Sequence, residues 1–205
     1  MPTAPSLERA PEQKQGQEAR LRGVHHLALN TDDMALTIDF YTNVLGLPMV
    51  HALRVEPGIG TGPNNRGNPP WENLRHYFFD IGNDSLLAFF EIPKGAMPKG
   101  DRNAIAAMQH VAFAATAATA TVIRQRLEAR GIDYLGPINV GAGTYSIYFF
   151  DPNGIRLEVS CQPKDGDDIR VIEAWTQTKT QALAELRTLK SDPAWLDKVT
   201  ENLRD

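Results

Sequence analysis

His26 and His110 each open a run of alternating side chains, His26-Leu-Ala-Leu and His110-Val-Ala-Phe, and Glu158 sits in a third, Ile155-Arg-Leu-Glu-Val-Ser. On an extended strand successive side chains point to opposite faces. His26 therefore shares a face with Ala28 and Asn30, away from Leu27 and Leu29. His110 shares one with Ala112 and Ala114, and Glu158 shares one with Arg156 and Ser160. If the aliphatic faces pack against helices, the two imidazoles and the carboxylate point into whatever hollow the sheet encloses. Neutral imidazoles and a carboxylate on one side of an octahedral ion leave three adjacent positions open, a facial set suited to Fe(II) and O₂. A lone strand histidine is more often a satisfied polar group, and a lone Glu158 can simply face solvent. His25 falls on the opposite face from His26 and is set aside, with a buried or supporting role.

The elements that would hold these residues follow from periodicity. Residues 24–30 read as a strand. Thr31-Asp32-Asp33 is a helix-start cluster, and 34–45 has helical spacing until Gly46 stops it. Residues 47–54 read as a second strand, and 56–72, rich in Gly, Pro and Asn, as a long loop. Strands follow at 75–81 and 85–92. The pattern then restarts: strand 109–115, helix 118–130, Gly131, a short strand from Tyr134, and a hairpin of 144–150 and 155–161 around Asp151-Pro-Asn-Gly154.

This order, strand, helix, three strands, occurs twice. Histidine to helix-stopping glycine spans 20 residues from 26 to 46 and 21 from 110 to 131, and Tyr-Phe-Phe-Asp stands at 77–80 and again at 148–151. An internal duplication is the strongest organisational signal, and it places His26 and His110 at equivalent positions. That equivalence lifts the metal reading above the bland one.

Composition narrows the functional classes. The chain has 205 residues, of which 42% are hydrophobic and 22% charged, enough for a sizeable core. A net charge of −4 argues against nucleic acid or an anionic membrane as partner. One cysteine, Cys161, excludes an intrachain disulfide and a cysteine-based zinc cage. No apolar run reaches membrane-spanning length, and charges interrupt the N-terminal 20 residues, so a cytoplasmic location is expected.

His26-Leu-Ala-Leu-Asn-Thr-Asp-Asp, Phe40-Tyr41, Val44-Leu-Gly-Leu47, His110-Val-Ala-Phe and Tyr148-Phe-Phe-Asp-Pro-Asn-Gly-Ile-Arg-Leu-Glu158 together resemble the vicinal oxygen chelate superfamily. It includes glyoxalase I, methylmalonyl-CoA epimerase, bleomycin-resistance proteins and type I extradiol dioxygenases. The resemblance covers about 22–162 and implies an α+β fold of two βαβββ modules, about 22–95 and 107–162, forming a half-open barrel around a divalent metal. A loose arm at 1–21 and a helical extension at 163–205 are expected to flank it. The resemblance implies His26, His110 and Glu158 as metal ligands. Fe(II) is the first choice, with Mn(II), Ni(II), Co(II) and Zn(II) as alternatives, and the substrate is a small molecule. A homodimer is compatible with it.

The reaction turns on a fourth corner. In glyoxalase I and the epimerase the first module also supplies a ligand. Anchoring the two Tyr-Phe-Phe-Asp copies maps Glu158 onto Leu87, and one extra residue in the Gly82-Asn-Asp turn maps it onto Ala88; neither binds metal. Glu91, the nearest acid, belongs to the other face. A three-ligand site therefore tilts the expectation to an Fe(II) dioxygenase of extradiol type acting on a catechol-like or other bidentate oxygen substrate. A lyase or isomerase of the glyoxalase or epimerase kind, or a non-catalytic binding protein, are the alternatives. Tyr148, on the same face as Glu158, resembles the tyrosine that hydrogen-bonds substrate oxygen in extradiol enzymes and is the candidate catalytic residue; a core aromatic is its bland reading. The acid–base histidine of those enzymes matches Ala96 here and a second active-site histidine matches Asn139, leaving His51 or His76 as substitutes. Trp71 is a candidate anchor for a lid formed by 56–75. Ile169, Ile172, Trp175, Leu183, Leu186 and Leu189 form an apolar stripe expected to pack on its own domain.

Overall fold

The computed structural model describes residues 21, 23–58, 67–163 and 170–205; most of the N-terminal arm, the middle of the 56–72 loop, and Ile169 lie outside them. The first module comprises β1 (His26–Thr31), α1 (Met34–Asn43), β2 (Met49–Arg54), β3 (Arg75–Asp80) and β4 (Leu86–Glu91). The second comprises β5 (Val111–Ala114), α2 (Ala117–Ala129), β6 (Tyr134–Gly141), β7 (Thr144–Phe150) and β8 (Arg156–Cys161). Each folds into one four-stranded sheet of the same topology, β1-β4-β3-β2 and β5-β8-β7-β6. The first and last strands of each module pair in parallel and the others antiparallel. The two-module α+β expectation is met.

Local chemistry sets the helix ends. The Asp33 carboxylate accepts from the Leu36 amide, and Glu91, reaching over from β4, accepts from the Met34 amide at 2.9 Å. Both satisfy otherwise orphaned donors at a helix N-terminus. Gly46, at φ +77°, turns the chain out of α1 in a conformation that penalises a Cβ. Thr116 caps α2 in the same way as Asp33 caps α1.

Met34, Phe40 and Tyr41 of α1 and Ile123 and Leu127 of α2 bury against the faces carrying Phe79, Phe89, Phe149 and Leu157, and these residues form one continuous core. The modules thus share their apolar interior. Tyr41 ties them with a polar contact as well: fully buried, it donates to Asp151 at the end of β7 at 3.1 Å. Burial raises the pKa of the Tyr41 phenol well above its ordinary value, and the neighbouring Asp151 adds to this, so it stays a donor.

Strand β6 is longer than its sequence suggests. Gly136 and Pro137 interrupt it, and the register shifts between Leu135 and Ile138. Pro137 falls at that irregularity, where a missing ladder donor is tolerated. A side chain at Gly136 would meet the Ser146 carbonyl at 2.5 Å, so only glycine lets β7 approach.

The extension forms α3 (Val171–Trp175), α4 (Lys179–Leu189) and α5 (Pro193–Val199). The expected stripe is only partly packed: Leu183 and Leu186 are half-buried, Ile172, Trp175 and Leu189 are exposed, and Ala182 of α4 and Leu196 of α5 are buried. Among the described residues no helix is long and apolar enough to cross a membrane.

Candidate metal centre and cavity

The cross-strand register fixes which positions of the two sheets correspond. On β8, Glu158 lies opposite Ala112 of β5 and Tyr148 of β7. On β4, Ala88 lies opposite Ala28 of β1 and Phe78 of β3. Counting back two residues from Ala28 and Ala112 reaches His26 and His110. The set His110, Tyr148, Glu158 therefore has His26, Phe78, Ala88 as its counterpart. The two Tyr-Phe-Phe-Asp copies turn out to be one residue out of step: Phe78, not Tyr77, matches Tyr148, and the buried Phe79 matches the buried Phe149. The β3–β4 and β7–β8 connections have equal length, so no extra turn residue is needed.

In the second module the set is assembled. His110 Nε2 stands 3.0 Å from Glu158 Oε2. Tyr148 donates to Glu158 Oε1 at 2.9 Å, and Ser160 donates to the same oxygen at 2.8 Å. The buried Ser146 hydroxyl lies 2.9 Å from that of Ser160. Burial by itself pushes the Glu158 pKa up, but the Ser146, Ser160 and Tyr148 hydroxyls and His110 outweigh it and hold the carboxyl below its ordinary value. Burial first, then the hydrogen bond and charge of Glu158, raise the Tyr148 phenol, which remains a proton donor. Strand alternation puts Ser160 on the Glu158 face without assigning it a role, and Ser146 was missed; their alternation with Tyr148 and Glu158 at spacings of two is the signal that places both there.

The donor set fits a cation. His110 Nδ1 faces the side-chain oxygen of Gln109, a partner suited to a proton on Nδ1. In that tautomer the Nε2 lone pair and the Glu158 carboxylate, 3.0 Å apart, would be free to share one cation.

His26 is not part of this group. Its ring meets His25 Nδ1 at 2.9 Å and the Phe78 ring at 6.0 Å. His51 and His76 also surround Phe78, at 5.7 and 4.3 Å between ring centroids. His76 stacks on Phe90 with its Nε2 buried and unpartnered. No three His, Cys, Asp or Glu side chains among the described residues come together as a ready metal cage. Glu91 is committed elsewhere, capping α1 and pairing with Arg75 on the helix side of its sheet. Cys161 is buried, which raises its thiol pKa. Asn139 accepts from its neighbour Gly141.

A cavity of about 840 Å³ opens beside the pair, between the end of β1 and the start of β8, under the 97–108 connector. Ala28, Asn30, Phe90 and Trp71 line its first-module side, and Met108 and Arg156 its second. His110, Tyr148 and Glu158 are not in its wall; the cavity reaches them through Arg156, whose guanidinium lies 4.7 Å over the Tyr148 ring. Trp71 also packs against Val55, Leu74 and Phe90, which anchors the end of the long loop at the cavity.

Residues 23–159 match the family model described as the Glyoxalase/Bleomycin resistance protein/Dioxygenase superfamily. Among solved structures, a glyoxylase/bleomycin resistance protein/dioxygenase domain from Frankia sp. EAN1pec shares 19% identity over 69% of this chain and 98% of that one, at a TM-score of 0.52. The fosfomycin resistance protein FosX from Mesorhizobium loti shares 21% over 68% and 91%, at 0.45. A lactoylglutathione lyase from Agrobacterium tumefaciens shares 26% over 68% and 92%, at 0.42. No curated protein sequence matches the chain.

Proposed function

From the premise that this chain belongs to the glyoxalase/bleomycin resistance protein/dioxygenase superfamily, we propose that it is a divalent-metal enzyme, an Fe(II) dioxygenase of extradiol type acting on a catechol-like or other bidentate oxygen substrate. The observation that carries this reading is the alanine at position 88. With Ala88 where the second module has Glu158, and Glu91 tied to α1, the first module has no carboxylate to add. His110 and Glu158 would then hold the ion, with His26 as the third donor. His26 is assigned by its equivalence to His110 in the repeat, not by contact with the pair.

When bound, Fe(II) supplies Lewis acidity toward vicinal substrate oxygens and a site for O₂. The chain's own part is clearer. Glu158 is kept ionised by its hydroxyl donors and His110. Gln109 fixes the orientation of the His110 ring. Tyr148 holds a proton at its hydroxyl beside the carboxylate, where it can orient or protonate a substrate oxygen.

A lyase or isomerase reading is favoured by one observation. The positions matching the extradiol acid–base histidine and a second active-site histidine hold Ala96 and Asn139, and neither carries a proton-transfer group. Metal analysis of anaerobically purified protein, followed by O₂ uptake on a panel of catechols, separates the two. Iron with substrate-dependent uptake supports the dioxygenase. Nickel, cobalt or zinc without uptake supports the lyase, and no metal under any condition overturns both.

A further inference from the structure

The cavity wall carries guanidinium groups that no carboxylate among the described residues pairs with. Arg156 lies over the Tyr148 ring, and Arg102, on the 97–108 connector, lies 5.0 Å over the ring of Phe150. Phe150 is the cross-strand partner of Arg156, so the two aromatic platforms are adjacent along β7. Lys99 joins them, its ammonium 3.4 Å from the Pro152 carbonyl. Among the described residues none of the three forms an ion pair. Two acids, Asp32 and Asp101, also line the cavity. Asp101 is engaged with the backbone amide of Asn103 at 2.9 Å, and neither acid reaches the cations.

A guanidinium held over an aromatic face still has N–H donors to offer. Those donors match the two oxygens of a carboxylate or phosphate in a fork. A partly enclosed cavity makes such an unpaired charge worth more to an incoming anion than it would be in open water. The Tyr148 ring fixes the spacing: its face carries Arg156 and its hydroxyl meets Glu158. The width of one aromatic ring therefore separates the cationic end of the cavity from the metal-binding pair.

We infer that the cavity selects an anionic substrate, one whose oxyanion group is held by Arg156 and Arg102 while its vicinal oxygens lie toward His110 and Glu158. The substrate class is a small acid of dihydroxybenzoate type rather than a neutral catechol. Assignment of the vicinal oxygens rests on the metal reading above; assignment of the oxyanion rests on the arginines alone.

Calorimetric binding tests both parts separately. Catechol and 3,4-dihydroxybenzoate are titrated into iron-loaded protein under anaerobic conditions, and benzoate and phenyl phosphate into chelator-treated protein. The acid is expected to bind at least about tenfold tighter than catechol, the worth of a charge-assisted hydrogen-bonded pair. In Arg156→Gln and in Arg102→Gln that ratio falls toward one. Benzoate or phenyl phosphate binds the metal-free protein with the same arginine dependence, and the tighter of the two identifies the oxyanion. Equal affinity for catechol and its acid, or a preference that survives both substitutions, overturns the inference. If benzoate binding depends on the arginines but added iron tightens neither dihydroxy compound, the metal reading fails and the anion site stands.

Discussion

Ala88 stands on β4 where Glu158 stands on β8: each faces the residue two past its module's histidine on one side and the aromatic of the preceding strand on the other. The matched positions keep the histidine and differ at the other two. Where the second has His110, Tyr148 and Glu158, the first has His26, Phe78 and Ala88. The duplication has kept the imidazole in both halves and the carboxylate and hydroxyl in one.

Ala88→Glu would restore the missing carboxylate. Ala88 is fully buried, so without metal the new acid should destabilise the protein by a few kcal/mol. If the position belongs to the metal site, added metal should recover the melting temperature, and metal affinity should hold or rise. Substrate-dependent O₂ uptake should fall sharply, because bidentate substrate and O₂ together need all three open positions. A melting temperature that metal does not restore would remove Ala88 from the site.

Single replacement of His110, Glu158 or His26 by Ala should abolish tight metal binding and leave the fold intact, since the core is built on the opposite faces of both sheets. Metal content by elemental analysis, read with circular dichroism, checks this. His26 is the discriminating variant. Wild-type metal content in His26→Ala, with loss in the other two, would confine the site to the second module.

The strand–helix–strand order and the facing of His110, Tyr148 and Glu158 were legible because period-two alternation is a local property that packing preserved. The register between modules was not. Two identical Tyr-Phe-Phe-Asp strings invite a one-residue error that only cross-strand pairing corrects, with Phe79 and Phe149 as the buried reference points. That His26 meets His25 and Phe78 while His110 meets Glu158 was also hidden, because strand periodicity says which face a side chain takes and nothing of how two sheets are set against each other. In the extension, helical spacing located α4, but spacing alone does not say whether a stripe is covered; Ile172 and Leu189 are left in solvent.

Tyr148→Phe removes one hydroxyl and almost no volume. Glu158 loses one of the donors that hold its pKa down, while Ser160 still satisfies the same oxygen. Stability should change by no more than about 1 kcal/mol, and metal content should stay the same. Turnover on a true substrate should drop by about tenfold or more if the hydroxyl takes part in proton transfer. Unchanged kinetics would make Tyr148 a packing residue.

His76 should make the protein weaker in mild acid. Burial, with smaller contributions from His26 and His51, lowers its pKa from the ordinary 6.5 to about 4. Between those values the unfolded chain binds a proton that the folded protein does not, so protons favour unfolding there. The stabilisation is complete above pH 6.5 and is lost as the pH falls toward 4. His76 is half-buried, and solvent on its open side screens the charge, so the loss between pH 7.5 and 5 should be about 1 kcal/mol rather than the full value of the shift. His76→Phe keeps an aromatic against Phe90, from which His76 is now 3.6 Å between centroids, and removes both the titration and the unpartnered Nε2. Urea unfolding of the two proteins across this range measures the difference. The wild type should lose stability toward pH 5 more steeply than the variant by that amount, and parallel curves would assign the acid sensitivity to other groups.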